Sequence, residues 1–147
     1  MVAPRMRQQF PDQLDAECRA RIQAALEAEP GIAFGMLFGS LARGTASKHS
    51  DLDLAVSIPG ILSARELLDL RERLESAAGR KIDLLRFEDA PASIAYRIFK
   101  EGIVLSMRDR ATFVEQKAKA ILEYFDWKPF EDILVRGALR AAQERRG

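Results

Sequence analysis

The order of apolar and polar positions along the 147 residues divides the chain into short helical and strand-like segments. After Asp12, apolar residues recur every three or four positions, which predicts an amphipathic helix that ends at Pro30-Gly31. Residues 32–38 are an apolar run bounded by glycines, as is typical of a buried strand. Residues 51–58 alternate between polar and apolar side chains, so we predict a second strand with one buried face.

The rest of the chain is predicted to continue with alternating helices and strands. Ser63 and Glu66 have the spacing of a capping box, which predicts that a helix begins there, and Gly79 is placed to end it. The remaining predicted elements are a third strand at 81–87, a helix that opens at Pro91 and ends at Gly102, an edge strand at 103–106, and two final helices separated by Pro129.

Composition narrows the class of protein. The length suits one domain, and 48% apolar with 31% charged residues is ordinary for a soluble globular chain. A formal charge of +1 gives no overall attraction to polyanions, so we expect no direct nucleic-acid binding, and any phosphate chemistry must come from a local site.

The single cysteine, Cys18, excludes an internal disulfide and is expected to be a small core residue. No apolar stretch is long enough for a membrane span or a signal segment, so we expect a cytoplasmic protein without membrane contact.

Candidate chemistry is concentrated in the segment Gly39–Asp53, which reads GSLARGTASKHSDLD. Asp51 and Asp53 are two positions apart in the predicted second strand, so their side chains are expected on one face with Cα atoms roughly 6.5–7 Å apart. Such a pair can hold two metal ions about 3.5–4 Å apart, as two-metal phosphoryl-transfer sites require. A divalent cation is the simplest reason to place two carboxylates side by side.

Gly39 and Ser40 offer the complementary half of a phosphate site. A glycine at a strand end lets the backbone approach a triphosphate, and a hydroxyl with free N–H groups can bind its oxygens. Arg43 or Lys48 could neutralise further phosphate charge, although Arg43 could equally stabilise the loop. Asp83 interrupts an apolar third strand, where an unpaired carboxylate is costly. If the third strand lies beside the second, three carboxylates converge.

Other structures could give parts of this pattern. A solvated strand end is the simplest non-functional explanation of Asp51 and Asp53. A calcium loop of the EF-hand type does not fit, because Ala55 and Val56 replace a ligand and the required glycine. A Walker-type loop does not fit either, because no Gly-Lys-Ser/Thr follows. His49 is interpreted as a solvated loop residue rather than a general base.

Gly39-Ser40, followed after ten residues by Asp51-x-Asp53 and later by Asp83, resembles the nucleotidyltransferase superfamily that includes DNA polymerase β. The longer strings around these residues are most similar to its smallest branch, the minimal nucleotidyltransferases, many of which are antitoxins of HEPN ribonuclease toxins. The resemblance covers roughly residues 34–87. It implies an α/β fold with a small mixed β-sheet flanked by helices, a catalytic core at about 31–107 and C-terminal helices at about 109–146, all in one domain.

The resemblance also implies a reaction. The enzyme would transfer AMP from ATP to a tyrosine hydroxyl of a HEPN-domain toxin and release pyrophosphate, with two Mg²⁺ ions as cofactors. The implied nucleotide-binding residues are Gly39, Ser40 and Arg43, and the implied catalytic and metal-binding residues are Asp51, Asp53 and Asp83. Two alternatives stay open: transfer to a small hydroxylated molecule such as an antibiotic, and a non-catalytic antitoxin that neutralises its toxin by binding alone.

Overall fold

The structure of the protein is a computed structural model in which residues 15–39 and 51–146 are described. Helix α1, Ala16–Glu27, begins after Asp15, whose carboxylate accepts a hydrogen bond from the Cys18 backbone N–H at 2.6 Å. This cap satisfies one of the N–H groups that a helix start leaves without a partner. The helix predicted in this region is therefore confirmed, while its predicted start near Asp12 lies outside the described residues.

Four strands form one mixed sheet. They are β1, Phe34–Phe38; β2, Leu52–Ser57; β3, Ile82–Arg86; and β4, Ile103–Met107. Their order in the sheet is β3-β2-β1-β4. β1 pairs antiparallel with β2 and with β4, and β2 pairs parallel with β3. The predicted edge strand, β4, is confirmed, and it lies beside β1 at the opposite edge from β3.

Helix α2, Ala64–Ala78, connects the parallel strands β2 and β3. Its capping box is present as predicted: the Glu66 N–H donates to Ser63 Oγ at 3.1 Å, and the Ser63 N–H donates to Glu66 Oε2 at 2.9 Å. Gly79 ends the helix at φ +66°, a left-handed conformation that favours glycine. The 3₁₀ turn Phe87–Asp89 and helix α3, Ala92–Glu101, follow β3.

The sheet is covered on both faces. One core lies between the sheet and helices α1 and α2, and it contains the alternating apolar residues of β2, as predicted. Cys18 belongs to this core; burial is the main cause that raises the pKa of its thiol, which donates to the Ala78 carbonyl at 3.6 Å. The second core lies on the other face, where α3 and the last helix pack, and it is rich in aromatic rings: Phe34, Phe87, Phe99 and Phe113. The predicted fold class, α/β with a mixed sheet flanked by helices, is confirmed.

The C-terminal region corrects one prediction. Two helices separated by Pro129 were expected, but a single helix α4, Arg110–Arg146, contains Pro129 in its interior. An interior proline removes one backbone hydrogen bond and crowds the preceding turn, at a cost of about 3 kcal/mol. Good helix formers on both sides, mainly Ala, Leu, Glu, Lys and Arg, favour continuation of the helix across that defect.

The apolar residues of α4 are also less buried than their periodicity predicts. Ala120 is buried and Phe113 and Ile121 are half-buried, whereas several larger apolar side chains further along are exposed. These exposed side chains are Leu122, Phe125, Ile133, Leu134, Val135 and Leu139. The predicted apolar face is therefore wrong in part: Val114 and Leu122, which it includes, are exposed, and Phe113 and Ala120 pack against the core instead. No helix in the described part of the chain is long and apolar enough to cross a membrane.

Candidate active site

The candidate site lies where β1 ends and where β2 and β3 begin. Phe38, the last residue of β1, is the register partner of Asp53, and Asp53 is in turn the register partner of Asp83 across the parallel pair. Register partners in adjacent strands point to the same face, and paired strands are roughly 4.8 Å apart. The topology therefore brings together two acids that are thirty positions apart in the sequence.

Their face of the sheet is the one that α3 and α4 cover. Ala55 and Leu85 follow Asp53 and Asp83 by two positions, and both belong to the aromatic core on that side. Toward the start of the strands the core gives way to the two carboxylates, with Asp53 half-buried and Asp83 exposed. An exposed acid thus lies next to a half-buried one at the edge of the core.

The backbone of Gly39 lies close to the side chain of Asp53. A Cβ atom at this position would overlap Asp53 Oδ2 and would lie 3.0 Å from Asp53 Cγ. The backbone of Gly39 also has φ +71°, in the left-handed region. Both constraints favour glycine here, while the predicted approach of its backbone to a triphosphate stays a prediction. The group that approaches is the Asp53 carboxylate.

The position of Asp51 differs from the prediction that it belongs to the second strand. It lies just before β2 rather than within it, and its side chain is exposed. Within residues 15–39 and 51–146, no group of three or more His, Cys, Asp or Glu side chains is positioned to hold a metal ion. The side-by-side acids Asp53 and Asp83 nevertheless have suitable chemistry, because Mg²⁺ prefers oxygen ligands and is commonly held by one or two carboxylates together with substrate phosphates.

The remaining predicted site residues are Ser40 and Arg43. Both lie outside the described residues, as do Lys48 and His49. The prediction that they contact phosphate is therefore carried by the sequence alone.

A cavity of about 290 Å³ opens beside Gly39, between the end of β1 and one face of α3. Sequence reasoning missed its polar residues Ser93, Arg97 and Glu101. These follow one another at four-residue spacing, which places them on one helical face. That spacing is visible in the sequence, but its relation to the site depends on the fold, because the end of β1 forms the other side of the cavity.

The chain was compared with known proteins. The family model described as "Polymerase beta, Nucleotidyltransferase" matches residues 20–111. Protein adenylyltransferase MntA of Thermococcus cleftensis is 34% identical over 67 residues, which are 46% of this chain and 68% of that protein. A chain in a crystal structure of a toxin–antitoxin complex with AMP-PNP is similar with a TM-score of 0.71 and 22% identity, covering 82% of this chain and 98% of that chain.

A second structural match is a chain in the complex of a tri-AMPylated Shewanella oneidensis HEPN toxin with its MNT antitoxin. Its TM-score is 0.67 at 20% identity, covering 83% of this chain and 96% of that chain. At these identities the structural matches show the fold alone. The family model covers more than half of the chain and includes Gly39, Asp51, Asp53 and Asp83. The protein is thus a nucleotidyltransferase and belongs to the polymerase β nucleotidyltransferase family.

Proposed function

We propose that the protein is an antitoxin that transfers AMP from ATP to a tyrosine hydroxyl of a HEPN ribonuclease toxin, in the cytoplasm. The observation that carries this proposal is the pairing of Asp53 with Asp83 at the start of their strands, where the Gly39 backbone comes close to the Asp53 carboxylate. The relative from Thermococcus cleftensis is named a protein adenylyltransferase, and both structural matches are toxin–antitoxin complexes. These names support a protein rather than a small molecule as the acceptor.

The reaction needs an acceptor oxygen aligned with the α-phosphorus of ATP, opposite the departing pyrophosphate. Asp83 is the more exposed acid of the register pair, so we assign it the acceptor side, where its carboxylate receives the hydroxyl proton. Gly39 and Ser40 hold the β- and γ-phosphates, and Arg43 contributes positive charge. Asp53 and Asp83, with Asp51 just before β2 and the phosphates of ATP, would hold two Mg²⁺ ions, which when bound would offset phosphate charge and favour ionisation of the acceptor hydroxyl.

The cavity beside Gly39 provides room for part of the nucleotide. Its volume of about 290 Å³ lies near the lower end of the usual range for small-molecule sites, roughly 300–1,000 Å³. Arg97 brings a positive charge to this cavity and Ser93 a hydroxyl. We therefore place the donor nucleotide across the Gly39 backbone, with its phosphates toward the acids and the rest of the molecule toward α3.

The test is an incubation of the protein with labelled ATP, Mg²⁺ and the HEPN protein that we expect to be encoded beside it. Wild-type protein should label the HEPN protein, and Asp53→Asn should reduce labelling at least about 100-fold, because the change removes a charge from the site while keeping its shape. Asp69→Asn is the matched control: Asp69 lies on α2 in an ion pair with Arg65 and should behave as wild type.

A protein that neutralises its toxin by binding alone would give a different result in this test. If Asp53→Asn protects cells from the HEPN protein as well as wild type does, and neither protein transfers label, the proposed reaction is wrong and the non-catalytic alternative is correct. Asp83→Ala separates binding from turnover. It should slow transfer far more than it weakens ATP binding, and equal losses would contradict the role assigned to Asp83.

A further inference from the structure

The last part of α4 continues beyond the domain that the helix packs on. Ala120 is buried in the aromatic core, and the half-buried Tyr124 stacks on Tyr96 of α3. Among the side chains that the structure describes between positions 132 and 145, all are exposed except Ala141, which is half-buried. Tertiary packing supplies most of the stability of a helix in a protein. We therefore expect this segment of α4 to be covered by a partner.

This segment has one apolar side. Ala138 lies eighteen residues, about five helical turns, after Ala120, so both point in the same direction from α4. Ala142 has the same relation to Tyr124. Larger apolar side chains surround these alanines at spacings of three and four residues, the pattern by which a helix packs into an apolar groove. We call this side the distal face; its members are Leu134, Val135, Ala138, Leu139, Ala141 and Ala142.

The distal face leads back to the cavity beside Gly39. A concave surface of about 330 Å³ lies between α3 and α4, and it shares Ser93 and Arg97 with that cavity. We call this surface the α3–α4 groove. Its last residue along α4 is Lys128, which precedes Leu134 by six residues, less than two helical turns. A partner on the distal face would therefore also cover the groove and come to lie beside the donor cavity.

The charge of the groove distinguishes between possible partners. Arg97, Lys100 and Lys128 are cationic, whereas Glu101 is the one carboxylate among the lining residues that the structure describes. Lys128 pairs with Asp132 at 3.4 Å, but both side chains are substantially exposed, and such pairs contribute little. Two copies related by a two-fold axis place the same patch on both sides of their interface, so a second copy would oppose cations to cations. A partner that brings carboxylates fits better.

We propose that the distal face and the α3–α4 groove together bind the HEPN protein, which packs an apolar helix face with nearby carboxylates against them. The proposal rests on the proposed function, which requires a protein whose tyrosine hydroxyl reaches Asp83. The distal face is about 14 Å long, whereas a standard interface buries roughly 800 Å² on each partner, so the groove is needed as well. A HEPN protein held on both surfaces lies beside the donor cavity, where its tyrosine is needed.

The first test measures AMP transfer as a function of the concentration of the HEPN protein. Val135→Asp places a charge on the distal face and should raise the KM for the HEPN protein about tenfold or more. The kcat at saturating HEPN protein and the Kd for ATP should stay within about twofold. Ile133→Asp is the matched control: Ile133 is also β-branched and exposed, but two positions along a helix place it on the opposite side of α4.

A charge reversal tests the groove. Lys100→Glu, at an exposed position on α3, should also raise the KM for the HEPN protein, because it opposes a carboxylate to the carboxylates of the partner. Lys117→Glu is its control, since Lys117 is an exposed cation of α4 that lies near Phe113 and outside the groove. A measurement on the wild-type protein avoids any effect of a substitution on folding: amide hydrogen exchange at residues 132–142 should slow when the HEPN protein is added.

The outcomes separate the docking surface from the reaction. AMP transfer with equal KM values for Val135→Asp and Ile133→Asp, with an unchanged KM in Lys100→Glu, or with unchanged exchange at residues 132–142 overturns the docking surface and leaves the proposed function standing. Dimers of the wild-type chain alone that Val135→Asp abolishes and Ile133→Asp does not would assign the distal face to a second copy and also overturn the proposal. Binding of the HEPN protein through the distal face without AMP transfer contradicts the proposed reaction and leaves the surface intact.

Discussion

At Gly39 a backbone conformation and a close contact restrict the same position. The left-handed φ of +71° is unfavourable for other residues, and a Cβ atom would displace the Asp53 carboxylate. We expect Gly39→Ala to reduce AMP transfer at least about 100-fold, because misplacement of a reacting group by about 1 Å has effects of that order. Transfer to the HEPN protein, measured with labelled ATP, checks this expectation.

Gly79 provides the matched control for that substitution. Its φ of +66° is almost the same, but a Cβ there would meet nothing within 4 Å. Gly79→Ala should therefore destabilise the fold by about 1–2 kcal/mol through the backbone alone and leave the transfer rate of the folded protein unchanged. Equal loss of activity in the two variants would show that backbone strain, and not the contact with Asp53, causes the loss in Gly39→Ala.

The sequence identified both residues of the acidic pair, Asp53 and Asp83, but not that their strands are neighbours. The alternation of the second strand put Asp53 on the opposite face from Leu52 and Leu54, as observed. The pairing of Asp53 with Asp83 depended on which strand lies beside β2, a long-range contact that local periodicity does not report. The same limit explains why Ser93 and Arg97 were missed: their spacing is visible in the sequence, but the cavity that they line is formed by β1.

Among the helices, α2 gives the clearest test of local sequence rules. Ser63 and Glu66 satisfy each other's backbone N–H groups at an exposed helix start. We expect Ser63→Ala to lower the free energy of unfolding by about 1 kcal/mol, the usual cost of losing an N-cap side chain. Urea unfolding measures it. Ser76→Ala in the same helix is the control and should change stability little, because Ser76 is exposed in a helix interior that favours alanine.

Helix α4 shows where local rules fail. Pro129 was interpreted as a boundary because proline is unfavourable in a helix interior, yet α4 continues through it. A single proline adds a local cost of about 3 kcal/mol, whereas helix formers in both flanking segments contribute favourably over many residues. Whether the helix continues depends on the total free energy of all its residues, which the presence of one proline does not determine.

Across the whole molecule, Glu88 connects the far end of the sheet to the last helix. Its carboxylate accepts hydrogen bonds from Ser57 Oγ at 2.6 Å, from the Ile58 N–H at 2.9 Å and from Gln116 Nε2 at 2.9 Å. It also lies 3.6 Å from the buried guanidinium of Arg86. One side chain thus links β2, the 3₁₀ turn and α4, at the end of the strands opposite the acids.

We expect Glu88→Ala to lower the free energy of unfolding by about 2–4 kcal/mol, because it leaves a buried guanidinium and a buried hydroxyl with fewer partners. Glu88→Gln should lower the free energy of unfolding by less, since an amide keeps part of the hydrogen-bond network. Asp132→Ala serves as the control: it breaks the exposed pair with Lys128 and should cost less than about 1 kcal/mol. A loss as small for Glu88→Ala as for the control, measured by urea unfolding, would contradict the role given to this network.

The global arrangement was only partly predictable. Each strand was found within a residue or two of its predicted bounds, because apolar runs and turn residues are local signals. The strand order β3-β2-β1-β4 could not be predicted from such local signals, because β1 and β4 are far apart in the sequence. The family resemblance supplied the expectation of a mixed sheet. Hydrophobic periodicity alone would have left the pairing of these strands open.

The position of β1 inside the sheet affects the protein during its synthesis. One edge of β1 pairs with β2, which follows closely, but the other edge pairs with β4, about 70 residues later in the chain. At roughly 5–20 residues per second, a ribosome takes several seconds to supply β4 after β1 has emerged. During that interval the nascent chain presents a hydrophobic strand with unpaired backbone groups, the kind of edge to which other chains add. Early packing of α1 beside the sheet, or binding of a chaperone, would protect this edge until β4 arrives.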